Sequence, residues 1–127
     1  MSNFRDLKYF KLIILKELDT YQLLSDESKK EIYLRNIISR LYYTAMHICI
    51  EKFNIDINPS EKTHPQVLNA ITSRGLKQKL KSLKSLREKA DYKIEPFNLP
   101  LTAQGRRGVV INSTEQIKDI LEFFESL

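Results

Sequence analysis

Leu34-Arg35-Asn36-Ile37-Ile38-Ser39-Arg40-Leu41-Tyr42-Tyr43-Thr44-Ala45-Met46-His47-Ile48-Cys49 is the run that decides the fold. Within and just beyond it, Leu34, Ile37, Ile38, Leu41, Ala45, Ile48, Cys49 and Phe53 return every three or four residues. At about 100° per residue they cover nearly half of a helix's circumference. A stripe that broad predicts a helix with neighbours on more than one side, the central member of a bundle. The spacing carries this helix over residues 27–54, with Ser25 or Asp26 as its N-cap.

Working outward, Leu7, Phe10, Ile14, Leu18 and Tyr21 predict a helix over residues 4–24, capped by Ser2 or Asn3. Asn54, Asn58, Pro59 and Ser60 make residues 55–63 a loop. A short helix follows from 64 or 65 to 73, with Thr63 as cap and Pro65 in the first turn. Leu76, Leu80, Leu83, Leu86 and Ala90 then stripe a helix over residues 74–92, its start weakened by Gly75. Pro96 and Pro100 break the chain, and residues 93–111 read as a long irregular segment centred on Gly105-Arg106-Arg107-Gly108. Ile117, Ile120, Leu121 and Phe124 predict a last helix over 114–127, capped by Asn112 or Ser113, with Ser113 and Gln116 as a capping box.

The sequence therefore predicts an all-α fold, a four- to five-helix antiparallel up-and-down bundle forming one domain over 1–127. The length fits one ordinary domain, and 42% apolar residues are enough for a core. Three glycines and four prolines leave long segments unbroken, as helices require. No apolar run approaches the roughly 18 residues of a membrane span. Early charges at Arg5, Asp6, Lys8 and Lys11 interrupt any secretory leader, so a cytoplasmic protein without a membrane partner is expected. The single cysteine, Cys49, lies in an apolar run and reads as a small packing residue. Two histidines are too few for a structural zinc, so neither metal nor cofactor is expected. There is no Gly-rich phosphate loop, Gly-x-Ser-x-Gly elbow or Cys-x-x-Cys pair, which removes the common nucleotide-hydrolase and hydrolase signatures.

Two polar features resist explanation by packing alone. Asn36, Arg40, Tyr43, His47, Glu51 and Asn54 fall within a strip about 80° wide on the central helix. The strip is either a solvent face or a partly buried site; its Arg, Tyr and His content suits the second, its ordinary charges the first. Arg87 sits beside the leucine stripe of its helix, where arginine is rarely unpaired. Asp91, four residues on, can pair with it structurally. Alternatively, the guanidinium is held in a cleft to grip phosphate. The same helix region, residues 74–93, holds eight basic residues against Glu88 and Asp91, more than the chain's net charge of +5. That cluster, with Lys84 and the Arg106-Arg107 loop, is a solvated face or a nucleic-acid surface.

At these residues the chain resembles a known family. Ser39-Arg40-Leu41-Tyr42-Tyr43-Thr44-Ala45-Met46-His47 is similar to the Arg-x-Tyr-Tyr-x-Ala-x-His segment of small prokaryotic HEPN proteins. Thr63-His64-Pro65-Gln66-Val67 resembles their His-x-x-Val. Leu86-Arg87-Glu88-Lys89-Ala90-Asp91-Tyr92 resembles their Arg-x-x-Ala-Asp-Tyr, and a terminal amphipathic helix completes the pattern. The resemblance implies a helical homodimer acting as a toxin or antiviral defence effector on RNA. It would be a metal-independent endoribonuclease, checked by an antitoxin or nucleotidyltransferase partner. In the family an Arg and a His a few residues apart drive attack of the 2′-hydroxyl on its phosphate, His moving protons and Arg stabilising charge. Here Arg87 takes the arginine position, but Asp91 and Tyr92 stand where the histidine belongs. The expectation is that His47 supplies the missing histidine if the two motif helices face each other, so that His47, Arg87 and Tyr92 line one cleft. Catalytic candidates are Arg87, Asp91, Tyr92 and His47; nucleic-acid-binding candidates are Arg40, Tyr43, Lys84, Arg106 and Arg107. The missing histidine leaves a non-catalytic module open, one that binds RNA or nucleotide or scaffolds a nucleotidyltransferase-type partner. An unrelated helical protein docking an acidic partner is the third class.

Overall fold

The computed structural model describes residues 4–103 and 108–127, the side chains of 4–6 excepted; Arg106 and Arg107 lie outside the described residues. The chain is an all-α bundle: α1 (Phe4–Leu23), α2 (Glu27–Lys52), α3 (Thr63–Ala70), α4 (Arg74–Tyr92) and α5 (Thr114–Glu125), with a small ribbon of β1 (Leu101–Thr102) and β2 (Val110–Ile111).

The ends of the helices have local causes. The Asp26 carboxylate accepts the Ser28 and Lys29 N–H groups at 2.9 and 3.1 Å, fixing the start of α2. At the other end, Asn54 takes a left-handed φ of 49°. The Ile55 N–H then reaches the Ile50 carbonyl at 3.0 Å and the Asn54 N–H the Glu51 carbonyl at 3.4 Å, a Schellman closure. The helix thus stops at Lys52, two residues short of the expected end. Thr63 does not cap α3, as its position suggested; it is the first helical residue, and Lys62 is the N-cap without a side-chain bond. The helix ends at Ala70, which frees Ser73 to cap α4 by accepting the Leu76 N–H at 3.2 Å. In α5 the capping box is displaced by one residue: Ser113 is the N-cap, but the Gln116 side chain accepts the N–H of Asn112.

The segment expected to be irregular throughout contains the antiparallel ribbon, with Leu101 opposite Ile111 and Thr102 opposite Val110. The Ala103 N–H extends it, donating to the Val109 carbonyl at 3.0 Å. Gly108 is required there, because a Cβ would collide with the Ala103 carbonyl.

α2 is the central helix, packed against α1, α3, α4 and α5. Side-chain partners give the directions. Lys30 meets Tyr21, Arg40 meets Glu17 and His47 meets Phe10, so α1 and α2 run antiparallel. Arg35 meets Ala90 and Tyr43 meets Arg87, so α2 and α4 do too. Lys11 with Glu125 and Gln22 with Thr114 set α5 antiparallel to α1. Leu34, Ile37, Ile38, Leu41 and Cys49 are fully buried, joined by Ile14, Leu18, Leu80, Leu83, Leu86, Ile117 and Phe124. Each such side chain contributes roughly 1.5–3 kcal/mol by leaving water. Burial pushes the Cys49 thiol up to about 12, so it packs as a neutral group. No helix among the described residues is long and apolar enough to cross a membrane.

Candidate functional site

The expected polar strip of α2 lies along the seam where that helix meets α4 on one side and α1 on the other, and the two sides divide its residues. Toward α4, a cavity of about 540 Å³ opens between α2, the start of α3 and the middle of α4. That is within the range of roughly 300–1,000 Å³ common for ligand sites. Tyr42, Tyr43, Met46 and His47 line it from α2, His64 and Pro65 from α3, and Lys84, Arg87, Glu88 and Tyr92 from α4.

Arg87 is the organising cation. Its side chain is 14% exposed, and its guanidinium carbon lies 5.2, 5.4 and 5.7 Å from the ring centres of Tyr42, Tyr43 and Tyr92. Aromatic faces attract a cation, which explains how a charge this sheltered is tolerated. Its polar bonds are long: Nη1 donates to the Tyr92 hydroxyl at 3.3 Å and lies 3.5 Å from the Asp91 carboxylate. Asp91 is shared, since its carboxylate also accepts the Ser39 hydroxyl at 3.3 Å. The buried Arg87 Nε has no hydrogen-bond partner among the described residues. Burial opposes the charge, but the Tyr92 hydrogen bond and the surrounding phenols hold its pKa above the ordinary value. The group is a permanent cation with donor capacity unspent.

Two imidazoles flank it. His47 stacks on Phe10 of α1, ring centres 6.2 Å apart and planes 11° from parallel. Burial lowers its pKa, with Glu51 opposing. His64 Nδ1 is 2.8 Å from the Tyr42 hydroxyl. Burial, then the positive charges of Lys84, Arg87 and Lys81, push the His64 pKa down to about 4, with Glu88 opposing. Burial first of all raises the Tyr42 phenol to about 12, against the pull of Arg87. At neutral pH His64 is an uncharged imidazole and Tyr42 an uncharged phenol. Lys84 reaches Glu88 at 3.5 Å on the cavity's edge.

Of the residues singled out by sequence, Arg87, Tyr92, His47, Tyr43 and Lys84 come together on this cavity. Asp91 stands behind Arg87 as its carboxylate neighbour. Arg40 goes elsewhere: 44% exposed, it pairs with Glu17 of α1 at 2.7 Å. Arg106 and Arg107 lie outside the described residues. Sequence reasoning missed His64 and Tyr42 as members of the site. Tyr42 sits among the helix's apolar residues, and His64 was visible only as the first residue of a short motif with no partner in sequence. Much of the basic run on α4 is engaged individually: Lys79 lies over Phe123 at 4.7 Å, and Lys89 donates to the Thr102 carbonyl at 3.2 Å. Among the described residues no three His, Cys, Asp or Glu side chains cluster to hold a metal ion. The cavity can thus offer an anion a fixed cation, an unstacked base several aromatic faces, and a labile proton an uncharged nitrogen.

No family model matches the chain, no curated protein is similar to it, and no solved structure matches it.

Proposed function

We propose that this cleft engages RNA, and that the protein is a HEPN-like effector, a toxin or antiviral defence protein that cuts RNA without a metal ion and works as a homodimer in the cytoplasm. The observation that carries the reading is the Arg87 guanidinium, sheltered among three tyrosines with a buried Nε–H unspent, on a cavity that also holds two imidazoles and Lys84. A phosphate in the cavity meets the Nη groups, whose present polar contacts are long at 3.3 and 3.5 Å. The half-exposed Tyr43 and the exposed Tyr92 offer faces to unstacked bases, the usual way a single strand of RNA is held. An uncharged imidazole accepts the 2′-hydroxyl proton as that oxygen attacks the adjacent phosphorus, while Arg87 stabilises the charge gathering on the phosphorane. The HEPN-like motifs around Arg40–His47 and Arg87–Tyr92 support the same chemistry, and they alone motivate the dimer and an antitoxin or nucleotidyltransferase partner.

The test is cleavage of an oligoribonucleotide with excess chelator present. Wild type should yield products ending in a cyclic phosphate, and Arg87→Ala should slow cleavage by about 100-fold or more, the usual cost of losing a charge-stabilising donor. Equal rates for the two proteins would remove the reading.

One observation favours a second reading, a non-catalytic module that binds RNA or nucleotide or scaffolds a nucleotidyltransferase-type partner. Both imidazole pKa values are lowered, so neither ring is a ready cationic acid for the leaving oxygen near pH 7. Binding that weakens steeply with salt, with no cleavage at any pH, would select this alternative.

A further inference from the structure

We propose that His64, seated by Tyr42, is the base that takes the 2′-hydroxyl proton in this cleft, and that His47 is not; the assignment rests on the RNA-cutting reading above. Asp91 and Tyr92 stand where a histidine is expected after Arg87, and the sequence offered only His47 in its place. The folded chain brings a second imidazole to the same cavity from a different element, the first turn of α3.

Three observations separate the two rings. First, His64 and Arg87 share one support. The buried Tyr42 ring lies 5.8 Å from the His64 ring and 5.2 Å from the Arg87 guanidinium carbon, centre to centre. Both residues line the same cavity, so a phosphate resting on Arg87 occupies the space that His64 also borders. His47 instead stacks on Phe10 of α1. Second, the 2.8 Å contact with Tyr42 occupies Nδ1, leaving Nε2 as the ring nitrogen open to a substrate. The role assigned to His64 requires the tautomer in which Nδ1–H donates to the Tyr42 oxygen and Nε2 carries the lone pair a base needs. Third, the titratable groups facing His64 are those an anionic substrate wants. Tyr42 and Tyr43 face it from α2; Lys81, Lys84, Arg87 and Glu88 face it from α4; Lys62 adjoins its own helix. Burial first, and then the cations, keep the imidazole uncharged until the substrate's negative phosphate arrives and eases protonation.

The step balances without any further reagent. The 2′-oxygen bonds to phosphorus as its proton passes to His64 Nε2, and the bond from phosphorus to the 5′-oxygen breaks. The leaving oxygen takes a proton from the Tyr92 hydroxyl, which accepts the Arg87 N–H at 3.3 Å and so retains its own proton to give. The phenolate left beside Arg87 regains a proton from water while His64 releases one. The products are a cyclic phosphate and a 5′-hydroxyl, and nothing is oxidised or reduced.

The experiment is single-turnover cleavage in chelator as a function of pH, with the His64 ring titration followed by NMR on the same protein. The expected profile has a flat neutral region and an acid limb whose midpoint coincides with the His64 titration. Lys84→Gln should move that limb to higher pH and Glu88→Gln to lower pH, opposite shifts that a purely structural histidine would not produce. His64→Gln should lose about 100-fold or more in rate while still binding RNA, and His47→Gln should keep the wild-type limb. If His64→Gln unfolds, Tyr42→Phe, which keeps the ring under Arg87, should still move the limb. Wild type that cuts while His64→Gln cuts equally well overturns this assignment alone, as does a limb that ignores both charge changes. Wild type that never cuts overturns the ribonuclease reading, and this assignment with it.

Discussion

Two arginines bridge the α2–α4 seam, and they are built in opposite ways. Arg35 is 19% exposed and saturated with oxygen: it donates to the carbonyls of Lys89, Ala90, Lys93 and Glu95 and to the Glu31 carboxylate, at 2.6–3.0 Å. Those carbonyls are at the end of α4 and just past it, where a helix has unpaired acceptors and negative dipole charge. Glu31 also accepts the Phe97 N–H at 2.9 Å, and the Phe97 ring lies 5.1 Å from the Arg35 guanidinium carbon. Arg35 thus ties the chain after α4 back onto α2. Arg87 is equally sheltered but sits among tyrosine rings, with two long polar contacts and an unpartnered Nε. Near-equal burial therefore means different things. A guanidinium whose two terminal nitrogens both hold short bonds to oxygen ties the fold together, and one whose polar contacts are few and long is poised for something that arrives.

The comparison breaks most easily at Arg35. Arg35→Ala leaves several carbonyls without a donor and should cost about 3 kcal/mol. A domain of this size should then melt roughly 10 °C lower, while the folded fraction still binds RNA as wild type does. A drop under about 2 °C would show that water replaces the guanidinium at no cost. Next comes Arg87→Met, which keeps an apolar stem over the tyrosines. Its melting temperature should stay within about 3 °C of wild type, because little hydrogen bonding is lost. RNA affinity should instead fall about tenfold or more, with the dependence of log affinity on log salt reduced by about one. Equal destabilisation by the two substitutions would erase the contrast.

A third test concerns pH. The folded His64 pKa is pushed down to about 4 from its ordinary 6.5. Between those values the unfolded chain binds the proton and the folded chain does not, so stability is complete above pH 6.5 and declines as pH falls toward 4. His47, also lowered, adds in the same direction. Melting temperature should fall from pH 7 to pH 5, and the fall should be smaller in His64→Gln. An unchanged fall in that variant would place the acid sensitivity elsewhere.

Much of the fold was legible because it rests on periodicity. The stripe from Leu34 to Cys49 marked the central helix, and Asp26 was recognisable as a cap. Features resting on contacts between distant residues were not legible. Two-residue strands have no period to detect, so the ribbon at Leu101–Thr102 and Val110–Ile111 passed as irregular chain. Thr63 and Ser113 are residue types that cap helices, but backbone geometry assigned the side-chain bonds elsewhere. At the site, Arg87 attracted notice as a cation beside a leucine stripe. Arg40 attracted the same notice, yet it pairs with Glu17 across α1. The rotation of α2 between its neighbours separates these two, and no spacing rule reports that rotation.

The sequence by itself determined which segments are helical and which face of each is apolar, because those depend on residues three and four positions apart. Only the tertiary structure decided which polar groups meet: His64 with Tyr42, Tyr42 with Arg87, and Arg35 with the carbonyls at the end of α4. Such partners are 22 to 55 residues apart in the chain and adjacent in space, so only packing the helices brings them together.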